Sequence, residues 1–107
     1  MPDMNDLLEK LLTRTDDRAV AWETTSVVDV FVAVIGPNSV RLSTVGDNEY
    51  TRLQVLNSEG RVLDSLEVTQ RSSAEFDAPL NRLLETARRL ALGTDEVIDE
   101  ILLDLDF

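Results

Sequence analysis

Carboxylate side chains near the end of the sequence are the residues most able to do chemistry. The chain carries 21 acidic and 10 basic residues, a net charge of −11, and residues 93–107 hold six acidic residues and no basic one. Within a helix Asp95 and Asp99 lie on one face and repel each other by about 0.2–0.5 kcal/mol. Such a face either recognises a basic partner or is solvated and keeps the protein soluble. The first interpretation makes these residues partner-binding: Asp95, Glu96, Asp99, Glu100 and Asp104.

Arginines upstream of this segment form a basic cluster. Arg82 and Arg89 are seven residues apart, which places them on one helix face, and their guanidinium groups are suited to hold an anionic ligand. Glu85 lies three residues from both Arg82 and Arg88, a spacing that equally suits ordinary surface ion pairs. Both interpretations stay open for the residues of the cluster, which are Arg71, Arg82, Arg88 and Arg89.

Other acidic groups have the residue types for Mg²⁺ binding or for acid–base catalysis: Asp16-Asp17, Asp47-Asn48-Glu49 and Asp104-Leu105-Asp106. None has the spacing of a calcium-binding loop, and the sequence has neither a glycine-rich phosphate loop nor a G-x-S-x-G elbow. The chain has no cysteine and no histidine, which excludes a thiolate nucleophile, a disulfide and a histidine proton shuttle. We expect no catalytic residue, no cofactor and no metal site.

The overall charge and the apolar segments narrow the choice of partner. A net charge of −11 repels a phosphate backbone, so direct nucleic-acid binding is disfavoured. The N-terminal residues show no basic region followed by an apolar run, and the longest apolar stretch, Val30–Ile35, is far short of the roughly 18 residues of a membrane span. The sequence therefore predicts a cytoplasmic protein without membrane contact. Its 107 residues, 43% of them hydrophobic, predict a single domain over 1–107.

Three segments have the periodicity of amphipathic helices. The first covers residues 4–14 behind Asp3, a suitable N-cap. The second opens at Ala78-Pro79 and ends at Gly93, a residue suited to the left-handed position after a helix. Thr94 is the expected cap of the third. The apolar stripes of the three helices are Met4, Leu7, Leu8, Leu11 and Leu12; Leu80, Leu83, Leu84, Ala87, Leu90 and Ala91; and Val97, Ile98, Ile101, Leu102 and Leu105.

Between the helices, alternating and β-branched segments predict strands at residues 20–24, 30–35, 40–45, 50–56 and 61–68. The turns between most of them are too short for parallel crossovers, so neighbouring strands pair antiparallel. We expect an α+β fold: an antiparallel meander of four to five strands, with an N-terminal helix and two C-terminal helices packed on it. Trp22 is either a core anchor of the sheet or an exposed binding anchor.

Leu103 and Phe107 lie beside the apolar stripe of the last helix rather than within it. They either form a second apolar patch that meets a partner or pack against the meander of the same chain. In the first case both join the partner-binding residues.

The chain resembles small uncharacterised bacterial proteins built of a helix, antiparallel strands and C-terminal helices. Trp22-Glu23-Thr24-Thr25 and the run over residues 87–102 carry this resemblance, which implies the order of elements and no activity. In organisation the chain is also similar to class I secretion chaperones, which are small, acidic, cysteine-poor α+β proteins that generally dimerise. It is shorter than they are, and no helix is predicted between its strands.

These observations favour a non-enzymatic protein-interaction module that uses an acidic C-terminal helix to bind a basic surface on a protein partner. An inhibitor, an immunity protein, an adaptor or a secretion chaperone would fit, and so would a homodimer. The alternative is a small anionic-ligand-binding protein that uses Arg82, Arg88 and Arg89 at a pocket between the sheet and the second helix. A hydrolytic enzyme is the third hypothesis.

Overall fold

The computed structural model describes residues 3–46, 49–69 and 78–106. They form an N-terminal helix, five antiparallel strands and two C-terminal helices, so the predicted α+β fold is confirmed. The elements in chain order are α1 (Met4–Asp16), β1 (Glu23–Thr24), β2 (Val30–Ile35), β3 (Asn38–Val45), β4 (Tyr50–Leu56), β5 (Val62–Thr69), α2 (Ala78–Leu92) and α3 (Thr94–Leu105).

The sheet is a meander in which each strand pairs with the next along the chain, in the order β1-β2-β3-β4-β5. Phe31 lies opposite Leu42, Leu42 opposite Leu53, and Leu53 opposite Leu66, so one apolar row crosses four strands on the inner face. Side chains alternate along a strand, so the residues next to this row, such as Arg41, point to the opposite face of the sheet. The predicted antiparallel pairing is confirmed.

The first strand is much shorter than predicted, since only Glu23 and Thr24 of the alternating segment 20–24 pair with β2. The residue just before β1 explains the difference. Trp22 is buried, and its indole Nε1–H donates a hydrogen bond of 3.0 Å to the buried Oγ1 of Thr15 at the end of α1. The segment is therefore tied to α1 rather than to the sheet edge. Of the two interpretations of Trp22, the structure therefore supports the core anchor.

The core lies between the inner face of the sheet and the helices α1 and α2. The predicted stripes of both helices face it, and Leu80 and Leu83 of α2 are completely buried. Burying a leucine side chain stabilises the fold by about 1.5–3 kcal/mol, so these contacts are the main source of its stability. The buried cluster consists of Leu8, Leu11, Trp22, Phe31, Ala33, Val40, Leu42, Leu53, Leu80, Leu83, Leu84 and Ala87.

A short polar network fixes the start of α2 over the sheet. The buried Thr51 of β4 donates from Oγ1 to Oδ1 of Asn81 at 2.7 Å. The amide Nδ2 of Asn81 in turn donates to the backbone carbonyl of Thr69 in β5 at 3.3 Å. One side chain of α2 is thus bonded to two neighbouring strands, which sets the position of the helix along them.

The N-terminus of α1 is closed by a capping box. Oδ1 of Asp3 accepts a hydrogen bond from the backbone N–H of Asp6, and Oδ2 of Asp6 accepts one from the backbone N–H of Asp3. We expect Asp3→Ala to lower the free energy of unfolding by about 0.5–2 kcal/mol, measured by urea denaturation. Asn5→Ala, an exposed change in the same turn, is the control; equal losses from the two variants would contradict the capping role.

Gly93 joins α2 to α3 as a single residue with φ +64°, the left-handed conformation that was predicted for it. The prediction that Thr94 caps the third helix is wrong. Gly93 itself occupies the N-cap position of α3, without a side-chain hydrogen bond, and Thr94 is already the first helical residue. The reason is that the chain changes direction at one residue and leaves none for a separate cap.

The last helix departs from the expected packing. α1 and α2 cover the sheet, whereas α3 has no buried residue and its main contact is with α2. The described chain measures 55 × 34 × 26 Å and has a radius of gyration of 15.0 Å. A compact domain of this length has a radius of gyration of about 13 Å, so the protein is elongated. The apolar stripe of α3 therefore remains uncovered.

Candidate functional site

The apolar stripe of α3 stays exposed in the packing of the described residues. Its residues are between 42% and 73% exposed, although they recur at the same helical spacing as the buried apolar residues of α2. Isolated exposed apolar residues are ordinary, but a continuous row of them on one helix is not, which makes this row the candidate site. We call this row the α3 stripe: Val97, Ile98, Ile101, Leu102 and Leu105.

The carboxylates of α3 divide into one that is paired and several that are not. Asp95 accepts a hydrogen bond from Arg89 of α2 at 2.5 Å and lies 3.7 Å from Arg18, which follows α1. The structure shows no ion pair within residues 3–46, 49–69 and 78–106 for the other predicted partner-binding carboxylates, Glu96, Asp99, Glu100 and Asp104. Asp95 thus links α3 to α2 and to Arg18, while the remaining carboxylates face solvent.

Leu103 is 74% exposed and lies on the acidic side of α3, about 100° from Leu102 around the helix axis. It does not pack against the meander. Phe107, the other residue predicted beside the stripe, lies outside the described residues. The structure therefore brings Leu103 together with the acidic residues and not with the α3 stripe.

The described members of the predicted arginine cluster have guanidinium groups that are paired with carboxylates. Arg82 hydrogen-bonds Asp16 of α1 at 2.5 Å, Arg89 hydrogen-bonds Asp95, and Arg88 contacts Glu85 at 3.2 Å and Asp29 at 3.7 Å. The ion pair predicted with Glu85 forms for Arg88, whereas Arg82 reaches Asp16 on the neighbouring helix instead. Arg71 lies outside the described residues.

Two clefts lie beside these arginines. A polar cleft of about 240 Å³ has Arg18 and Arg89 on its wall together with Asp16 and Asp95, so its charges balance. A second, of about 220 Å³, lies beside Arg88, whose buried Nε has no hydrogen-bond partner within the described part of the chain. An anion entering either cleft would compete with carboxylates that already occupy the guanidinium groups.

A groove lies between α1 and the end of β2, and the sequence reasoning missed it. Its volume is about 530 Å³ and it is lined mainly by apolar side chains, with two cationic ones. Leu7, Lys10, Leu11 and Arg14 follow one another at helical spacing, and this pattern was the available signal. We call it the α1–β2 groove; its lining residues are Leu7, Lys10, Leu11, Arg14, Ala19, Val20, Ala21, Val34 and Ile35.

The acidic residues considered for metal binding that the structure describes do not come together in a cluster. Over the described ranges, no group of three or more acidic residues could hold a metal ion. Asp16 is paired with Arg82, while Asp47 and Asn48 lie outside the described residues. No helix in that part of the chain is both long and apolar enough to cross a membrane.

Comparison with known proteins leaves the site to be interpreted from its own geometry. No family model, curated protein or solved structure matches the chain.

Proposed function

We propose that this protein is a non-enzymatic protein-interaction module that docks α3 into an apolar groove with a basic border on a partner protein. One observation carries the proposal: α3 is a complete amphipathic helix of which no residue is buried. An amphipathic helix that is laid into a groove through residues at i, i+3, i+4 and i+7 is a common mode of peptide recognition.

The chemistry of the two faces of α3 defines the partner. The α3 stripe supplies the apolar area, and burying one of its larger side chains contributes about 1.5–3 kcal/mol. The unpaired carboxylates favour lysine and arginine beside the groove, because complementary charge speeds encounter and disfavours wrong partners. An inhibitor, an immunity protein, an adaptor or a secretion chaperone would fit such contacts.

The arginine-based alternative has weaker support. Arg82, Arg88 and Arg89 each contact at least one carboxylate within the described residues, so a small anion would first have to displace it. Among the residues that the structure describes, none covers the α3 stripe in this way. A protein partner is therefore the better match to the geometry.

The proposal predicts that partner capture depends on the α3 stripe. We expect Ile98→Gln with Leu102→Gln to reduce capture of a partner from native lysate at least tenfold, because both side chains lose apolar contact area while helix propensity is kept. Quantitative mass spectrometry after affinity capture measures the effect. The matched control is Val62→Gln with Leu63→Gln, two exposed positions on β5. Equal capture by both double variants would contradict the proposal.

Charge is tested separately from apolar contact. We expect neutralising three unpaired carboxylates of α3 to weaken capture several-fold at low salt and to have little effect at high salt, where screening has already removed the attraction. The control neutralises three exposed carboxylates elsewhere, which keeps the change in net charge equal. The variants are Asp99→Asn, Glu100→Gln and Asp104→Asn, against Asp17→Asn, Glu59→Gln and Asp64→Asn. A larger effect from the control set would contradict a role for α3.

A further inference from the structure

The α1–β2 groove has the chemistry that α3 requires of a receptor. Its walls are apolar, with Val34 71% exposed and Ile35 46% exposed at the end of β2. Its cationic residues, Lys10 and Arg14, are exposed and make no ion pair within the part of the chain that the structure describes. Arg14 has no carboxylate partner among the described residues, so its guanidinium can meet an incoming acid.

The spacing of charges on the two elements also agrees. Lys10 and Arg14 are four residues apart on α1, and Glu100 and Asp104 are four residues apart on α3. Residues four apart on a helix lie about 6 Å from each other, so two helices that are packed side by side bring these groups into register. α1 has 13 residues and α3 has 12, which gives lengths of about 20 and 18 Å. The α3 stripe thus has room along α1.

We propose that α3 of one copy docks into the α1–β2 groove of a second copy and that the exchange is reciprocal, which gives a two-fold symmetric dimer. This inference rests on the proposed function, since both take α3 as the docking element. Within one chain, α3 is bonded to α2 and to Arg18 through Asp95 rather than seated in the groove. A reciprocal arrangement buries both copies of each surface, whereas a one-way arrangement leaves one groove and one helix free.

The overall charge of the chain opposes association, but only at long range. Two copies at −11 each repel, while screening at physiological ionic strength shortens such interactions to about 8 Å. The groups in contact are Lys10 and Arg14 with Glu100 and Asp104, and they attract. Asp6 and Glu9 lie outside the groove lining, in a neighbouring cleft that Lys10 also borders, and Arg14 lies in the groove alone. Salt therefore acts on this dimer in two opposing ways, and charge reversal is the cleaner test.

Cysteine cross-linking tests the docking directly, because the chain has no cysteine of its own. Val34→Cys and Leu102→Cys are introduced in separate chains, which are mixed under oxidising conditions and resolved on a non-reducing gel. We expect at least ten times more mixed disulfide than in a control that pairs Leu63→Cys with Leu102→Cys, since a disulfide forms only when the Cβ atoms approach to about 3.5–4.5 Å. Equal yields would overturn the proposal.

A charge-swap experiment by sedimentation equilibrium tests the pairing. We expect the unmodified chain to dimerise, and both Lys10→Glu with Arg14→Glu and Glu100→Lys with Asp104→Lys to raise the dimer Kd at least tenfold. Mixing the two variants restores dimers, because one contact is then native and the other has both signs exchanged. Circular dichroism checks that each variant is folded. A mixture no tighter than either variant alone would overturn the proposal.

The outcomes separate this inference from the function on which it rests. A chain that stays monomeric but captures a lysate partner through the α3 stripe refutes self-docking and keeps the interaction module. A chain that dimerises as expected, while lysate capture is indifferent to α3, keeps self-docking and refutes the module. A monomer in which Val34→Cys and Leu102→Cys in one chain form an internal disulfide shows α3 folding onto its own groove, which overturns the dimer.

Discussion

Replacing Trp22 by alanine is expected to lower the free energy of unfolding by about 3–5 kcal/mol, a large part of the 5–15 kcal/mol of a typical domain. The indole is 5% exposed, and it fills the space between α1 and the sheet. Its removal leaves a cavity and deprives Thr15 Oγ1 of its donor. Guanidinium denaturation followed by far-UV circular dichroism measures the loss, since the variant has no tryptophan fluorescence.

The hydrogen bond and the packing of Trp22 are separable. Thr15→Val keeps the indole but leaves its Nε1–H buried without an acceptor, for which we expect a cost of about 1–3 kcal/mol. The loss from Trp22→Ala should exceed that from Thr15→Val, because it adds a cavity. A Trp22→Ala variant that loses less than about 1 kcal/mol would show that the indole is not a core anchor.

Two leucines on neighbouring helices are expected to lose very different amounts of stability on the same substitution. Leu83 of α2 is completely buried, whereas Leu102 of α3 is 58% exposed. We expect Leu83→Ala to cost about 2–5 kcal/mol and Leu102→Ala to change the free energy of unfolding by no more than about 0.5 kcal/mol. Denaturation is measured at concentrations at which sedimentation finds a monomer, so that docking of α3 does not contribute.

The pair carries its own control, since both changes remove the same atoms from a helix. A loss of 2 kcal/mol or more from Leu102→Ala in the monomer would mean that α3 packs against its own chain, and the interaction surface would lose its basis. A loss from Leu83→Ala as small as that from Leu102→Ala would contradict the core assignment of α2.

The fold could be predicted from the sequence because local and global signals agree in it. Asp3 predicts the start of α1, a β-branched and aromatic run predicts β2, and alternation predicts β3 and β4. The short turn at Gly36 allows only an antiparallel hairpin between β2 and β3. Where a tertiary contact overrides the local pattern, the prediction fails. The alternation before Glu23 indicates a longer strand, but the hydrogen bond from Trp22 to Thr15 holds that segment beside α1.

The candidate site could be predicted only in part. α2 and α3 carry the same kind of apolar stripe in the sequence, and this pattern predicts that both helices face the core. The direction that the chain takes after Gly93 decides which stripe is covered, and periodicity carries no information on it. The acidic face was predictable from composition. The α1–β2 groove was not, because Val34 and Ile35 join Leu7 and Leu11 only through the packing of β2 beside α1.

The ion pairs at Asp95 have a consequence for the affinity of α3. They connect the base of the helix to Arg89 and Arg18, yet each exposed pair is worth only about 0–1 kcal/mol. Each pair therefore favours this orientation of α3 over others by a factor of about five at most in population, so the helix is not locked. When α3 binds, it therefore loses less rotational entropy than a helix with no preferred orientation would. It can still adjust its orientation to the receptor.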